Sequence, residues 1–184
     1  MRLTTATKIT LVRFLLVPFL IFFILNGEFK LSFVIFSIAA LTDGLDGFVA
    51  RKFNQRSPLG AILDPASDKI LMLSAFITLS LTEISLNRVP KWLVLSIFTR
   101  DFIIVSGVIF LRFFYNVKTF SPSIWGKMTT GAEALTGILV LLGNAISRAI
   151  PFISSLYYLT FFLVLISGFD YSLKGLLLIK NKNQ

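Results

Sequence analysis

Apolar residues gather into six stretches along the chain, near 9–26, 31–50, 60–82, 91–113, 124–146 and 152–178. Each has about the 20 residues that a helix needs to cross a bilayer. Short polar or Pro/Gly-bearing breaks separate them: Asn26-Gly27-Glu28, Arg51 to Pro58, Thr82 to Pro90, Tyr115 to Pro122 and Ser147 to Pro151. There is no internal repeat, low-complexity segment or long linker. The pattern predicts an all-α polytopic membrane protein of six transmembrane helices, with one domain over 1–184. Arg13 and Pro18 interrupt the first stretch and no small-residue cleavage site follows it cleanly, so it does not read as a cleavable signal peptide. Residues 1–8 read as an interfacial segment ahead of the first span.

Composition excludes the main alternatives. Of 184 residues, 55% are hydrophobic and 15% charged, against about 25% charged in soluble domains. Neither a soluble single core nor a disordered chain fits. The chain has no Cys and no His, which removes disulfides, thiolate or imidazole metal sites, Ser-His triads and a His-held haem. Any catalysis must use Asp, Glu, Lys, Arg, Ser, Thr or Tyr. The net charge of +9, in so apolar a chain, points to membrane headgroups rather than nucleic acid. Six spans put both termini on one side. That side holds Arg2, Lys8, Arg13, Arg51, Lys52, Arg56, Arg112, Lys118, Lys127, Lys174, Lys180 and Lys182; the other holds only Lys30, Arg88, Lys91 and Arg148. The excess places both termini in the cytoplasm.

The acids depart from a plain membrane protein. Of nine Asp and Glu, Asp43, Asp46, Asp64, Asp68, Asp101, Glu133 and Asp170 lie within or at the edge of a span. Such positions are costly and mark functional sites. Asp43 and Asp46, three apart, share a helix face, as do Asp64 and Asp68, four apart. The short connection after Arg51 makes the second and third helices antiparallel neighbours, so the two faces converge. Four carboxylates in a partly dry site repel one another, and divalent cations compensate most simply. An all-oxygen donor set suits Mg²⁺ or Mn²⁺, and two bridged metals suit in-line displacement at phosphorus. Gly44, Gly47, Ala50 and Gly60 lie beside the acids, where small residues permit close helix packing or ligand approach.

Written out, the stretch is Asp43-x2-Asp46-Gly47-x2-Ala50-Arg51-x8-Gly60-x3-Asp64-x3-Asp68. At residue frequencies of about 5–7%, a chance match to eight such fixed positions is on the order of 10⁻⁸. The pattern resembles the signature of the CDP-alcohol phosphatidyltransferase family. The resemblance implies transfer of a phosphatidyl group from CDP-diacylglycerol to an alcohol, with release of CMP, at the cytoplasmic face of the cell (inner) membrane. It implies that Asp43, Asp46, Asp64 and Asp68 hold two Mg²⁺ (or Mn²⁺) ions. Asp68 becomes the base for the acceptor hydroxyl. Gly47, Ala50 and Gly60 make room for the CDP moiety, and Arg51 neutralises its diphosphate. It also implies a homodimer.

Further residues resemble two subfamilies, one using glycerol 3-phosphate as acceptor and the other phosphatidylglycerol, which gives cardiolipin. Lys8-Ile9-Thr10-Leu11-Val12-Arg13 with Pro18 looks like the first; Thr99-Arg100-Asp101, Arg112 and Leu63-Asp64-Pro65-Ala66-Ser67-Asp68-Lys69 have counterparts in both. Gly126-Lys127-Met128-Thr129-Thr130 departs from the glycerophosphate pattern, with Thr129 where a second lysine is common and Glu133 where a glutamine is. Arg13, Arg100, Arg112 and Lys127 remain as the acceptor's anion site. Asp101, adjacent to Arg100, is expected to point elsewhere and to pair with another span. Trp92 and Trp125 read as interface anchors, Ser57 as a helix cap, and Asp170 has no evident partner. The remote alternative, an ion transporter, does not require the small residues and Arg51 at fixed distances from four aspartates.

Overall fold

The structure is a computed structural model that describes residues 5–53, 60–115 and 123–182, with side chains described for 12–40, 42, 67–115 and 123–180. All regular structure among the described residues is helical. Six helices run in chain order: α1 (Thr5–Leu25), α2 (Phe29–Phe53), α3 (Gly60–Leu81), α4 (Lys91–Tyr115), α5 (Ile124–Ala145) and α6 (Ile153–Lys182). They coincide with the six apolar stretches. The expected interfacial segment is helical from Thr5 onward as part of α1; Ser57 lies outside the described residues.

Two helical segments among the described residues, Lys91–Tyr115 and Ile153–Lys180, are each long and apolar enough to cross a membrane; Val12–Leu25 and Phe29–Ala40 are shorter apolar segments. Many large apolar side chains face outward. On α4, Phe98, Phe102, Phe113 and Phe114 are exposed while Arg100 is buried. An apolar surface of this extent has its natural solvent in lipid.

The chain divides into two compact units, Met1–Val89 with Gly137–Pro151, and Pro90–Thr136 with Phe152–Gln184. In the first, α1 packs against both α2 and α3. Leu20, Ile24, Phe36, Leu71, Phe76 and Leu79 are fully buried there. Phe36 occupies the space beside Gly137 of α5, where an added Cβ would stand 2.6 Å from the ring. In the second, α4 packs against α6, and Trp92 stacks on Tyr158 at 5.5 Å and meets Phe161 edge-on at 5.4 Å.

Two helix ends in the first unit close the same way. After α1 the Glu28 amide donates to the Phe23 carbonyl and the Gly27 amide to that of Ile24, with Gly27 at φ +75°. After α5 the Arg148 amide donates to Gly143 and that of Ser147 to Asn144, with Ser147 at φ 52°. Both are Schellman closures, which satisfy the last carbonyls of a helix through a left-handed residue. The α3–α4 and α5–α6 connections are then clasped together. The Asn144 Oδ1 accepts from the Asn87 amide at 2.7 Å, and its Nδ2 donates to Ser85 Oγ at 2.8 Å. Asn87 Nδ2 donates to the Arg148 carbonyl at 2.8 Å and its Oδ1 accepts from the Ile150 amide at 2.9 Å. Asn87, Asn144 and Ser85 are buried, so each bond replaces one that water no longer supplies.

Removing a buried partner leaves the others unsatisfied. Asn144→Ala is expected to lower the unfolding free energy in detergent by roughly 1–3 kcal/mol. Arg148→Ala, whose backbone alone enters the clasp, is expected to change it little.

Candidate active site

The spacing argument for the motif requires two helices, and both are present. Asp43, Asp46, Gly47, Ala50 and Arg51 lie in α2; Gly60, Asp64 and Asp68 lie in α3. α1 is packed against both. The side chains of Asp43, Asp46, Asp64 and Arg51 fall outside those described, as do the surroundings of Gly47, Ala50 and Gly60. Among the described residues no group of three or more carboxylates converges. The donor chemistry of the motif is what bears on a metal: four aspartates and, in the whole chain, no His or Cys. Such a hard oxygen set fits Mg²⁺ or Mn²⁺.

At the described end of the motif, Asp68 is half-buried and Ser67 before it is fully buried. The Ser67 hydroxyl accepts from Arg13 Nη1 of α1 at 3.5 Å, and Arg13 is 3% exposed. A guanidinium from the first apolar helix thus reaches the turn of α3 that carries Asp68. Ser67 was not singled out by sequence; its position directly before a motif aspartate was the available signal.

The other three basic candidates belong to the second unit, and their settings differ. Arg100 is 5% exposed. Its Nη1 meets Asp101 Oδ1 at 2.6 Å and its Nη2 donates to Ser167 Oγ of α6 at 2.6 Å. The expectation that Asp101 points away from Arg100 is therefore corrected. Neighbouring Cβ atoms do diverge on a helix, but the arginine side chain is long enough to fold back to its neighbour. Arg100 also makes a link to another helix, through Ser167 of α6. By contrast, Arg112 in the last turn of α4 and Lys127 in the first turn of α5 are exposed.

The departures from the glycerophosphate pattern lie at packed positions. Thr129 is fully buried, with its hydroxyl 2.8 Å from the Trp125 carbonyl and 2.9 Å from the Leu163 carbonyl of α6. Glu133, one turn further, is 1% exposed, and Thr136 beyond it shares a 2.9 Å hydrogen bond with Thr160. The three residues form one buried polar edge of α5. Asp170, for which sequence offered no partner, pairs with Lys174 at 2.8 Å. The signal was present: aspartate and lysine stood four apart, the spacing of a helical ion pair.

Loss of one partner exposes the difference between these pairs. Asp101→Asn leaves the buried Arg100 without its counter-charge and is expected to destabilise the protein by about 3–5 kcal/mol. Asp170→Asn, which releases the half-exposed Lys174 to solvent, is expected to leave the melting temperature nearly unchanged. Parallel thermal unfolding of the two variants in detergent checks the contrast.

Comparison with known proteins places the chain among relatives of one kind. A profile described as CDP-alcohol phosphatidyltransferase matches residues 3–167. The chain is 36% identical over 175 residues to a CDP-diacylglycerol--glycerol-3-phosphate 3-phosphatidyltransferase of Aquifex aeolicus, covering 93% of this chain and 95% of that protein. It is 32% identical over 181 residues to a probable phosphatidylglycerophosphate synthase of Mycobacterium tuberculosis, covering 93% and 81%. A human cardiolipin synthase (CMP-forming) is 35% identical over 111 residues, 60% of this chain and 36% of that protein.

Proposed function

The chain belongs to the CDP-alcohol phosphatidyltransferase family, and from that premise we propose that it transfers the phosphatidyl group of CDP-diacylglycerol to glycerol 3-phosphate. The products are phosphatidylglycerophosphate and CMP. The observation that carries the reading is its similarity, over 93% of the chain, to a relative named for that reaction. The eight-position motif distributed over α2 and α3 supports the chemistry independently of that name.

The acceptor hydroxyl attacks the phosphorus next to the diacylglycerol as the bond to the CMP oxygen breaks. Asp68 takes the hydroxyl proton, which requires only that the carboxylate be held within hydrogen-bond reach. Arg51 offsets the negative charge of the diphosphate, and Gly47, Ala50 and Gly60 leave room for the CDP moiety. Asp43, Asp46, Asp64 and Asp68 would hold a pair of Mg²⁺ or Mn²⁺ ions, which when bound withdraw charge from the phosphoryl oxygens. Phosphoryl transfer of this kind is mostly positioning and charge stabilisation, which suits a chain without Cys or His. The family resemblance leaves Arg112 and Lys127 as contacts for the acceptor's phosphate, whereas Arg100 is bonded to Asp101 and Ser167.

The profile match runs through both compact units, in support of one membrane domain. The basic residues gathered on one side favour cytoplasmic termini, with the active site on the inner face of the cell membrane. The homodimer rests on the family resemblance.

A second reading, cardiolipin synthesis with phosphatidylglycerol as acceptor, draws on Thr129 and Glu133 and on the cardiolipin synthase relatives. Thr129 weighs less than its pattern suggests, because its hydroxyl is used in packing α5 to α6.

CMP release by purified protein, measured with Mg²⁺ across glycerol 3-phosphate, phosphatidylglycerol, inositol and serine, separates the readings. Release with glycerol 3-phosphate alone is expected. Asp68→Asn is expected to lower kcat at least about 10²-fold, and chelation of divalent cations to abolish release. Release with phosphatidylglycerol alone would transfer the assignment to the second reading.

A further inference from the structure

We propose that Arg13 is a positioning residue, which fixes the turn of α3 carrying Asp68 by holding Ser67, rather than a contact for the acceptor's phosphate. The proposal rests on the assignment of Asp68 as the base. It begins from a cost. A guanidinium buried in an apolar helix is expensive unless polar groups surround it. Arg13 is 3% exposed in an otherwise apolar stretch of α1, and Ser67, which it reaches, is 0% exposed. Their separation of 3.5 Å is long for a hydrogen bond. A bond of that length contributes through placement and burial more than through its own strength.

The location gives the placement a consequence. α1 is the helix packed against both α2 and α3, and these two carry all eight motif positions. Ser67 is adjacent to Asp68, so a rotation or slide of α3 that breaks the Arg13 link also displaces the carboxylate. Asp68 is half-buried, so its neighbours on the protein side, rather than solvent, restrain it. A contact for a diffusing anion needs an accessible charge, and at 3% exposure Arg13 is the opposite.

The test is a double-mutant cycle of Arg13→Gln, Ser67→Ala and the pair, read in kcat, in KM for glycerol 3-phosphate and in thermal unfolding. Arg13→Lys serves as the conservative variant. If Arg13 acts through Ser67, each single change lowers kcat about 10–100-fold, the loss for a small misplacement of a reacting group. The pair loses little more than either alone, and KM moves less than about twofold. Arg13→Lys keeps the charge without the planar fork and recovers only part of the rate. Should Arg13→Gln fail to fold, Ser67→Ala alone carries the test, because it removes the hydroxyl with little change in volume. A raised KM with unchanged kcat in the Arg13 variants would make the residue an acceptor contact and overturn the proposal. Additive losses in kcat, or coupling confined to unfolding, would overturn it as well. An inactive wild-type protein with every acceptor would instead refute the assigned reaction.

Discussion

Placing charge in a hydrocarbon environment is the constraint on which the rest of this structure depends. An isolated ion there is too costly to keep, and three charges described within the helices meet a polar partner. Arg100 has Asp101 and Ser167; Asp170 has Lys174; Arg13 has Ser67. Arg88, in the connection between α3 and α4, reaches back to donate to the carbonyls of Ser80 and Leu81 at the end of α3. Pairs like these need one partner each. Four aspartates within 26 residues are a different problem. In the proposed site their repulsion is what makes a divalent cation, and a substrate carrying phosphates, the natural complement.

The same constraint governs uncharged polar groups. Hydroxyls within the helices bond back to carbonyls one turn earlier: Ser74 to Ile70, Thr78 to Ser74, Thr136 to Ala132 and Ser172 to Gly168. Each serine or threonine is thereby satisfied by its own helix and can face apolar surroundings. Where helices end, no such local answer exists. The ends of α1 and α5 use Schellman closures, and the connections after α3 and α5 share the asparagine clasp.

Much of this was legible in the sequence. The six helices follow the apolar stretches because span length is a physical threshold that no competing pattern obscures. The motif was legible because its fixed positions lie within two helices and one short connection. Pairings were harder. Arg100 with Ser167, and Arg13 with Ser67, join residues far apart in the chain, and no local spacing encodes them. Arg100 with Asp101 was misread because adjacency was judged by where Cβ atoms point, without the reach of the arginine. Thr129 was read only as a missing lysine. Its burial against α6 gives it a packing role that sequence alone did not suggest.

In the proposed function the aspartates of α2 and α3 together bind divalent metal. The most direct measurement is Mn²⁺ binding to the purified protein, followed by electron paramagnetic resonance, for the wild type and for Asp43→Asn, Asp46→Asn, Asp64→Asn and Asp68→Asn. Saturable binding to the wild type is expected, weakened by each of the four substitutions and unaffected by Asp170→Asn. Binding that survives all four substitutions unchanged, or a wild-type protein that binds no Mn²⁺ with CDP-diacylglycerol present, would contradict it.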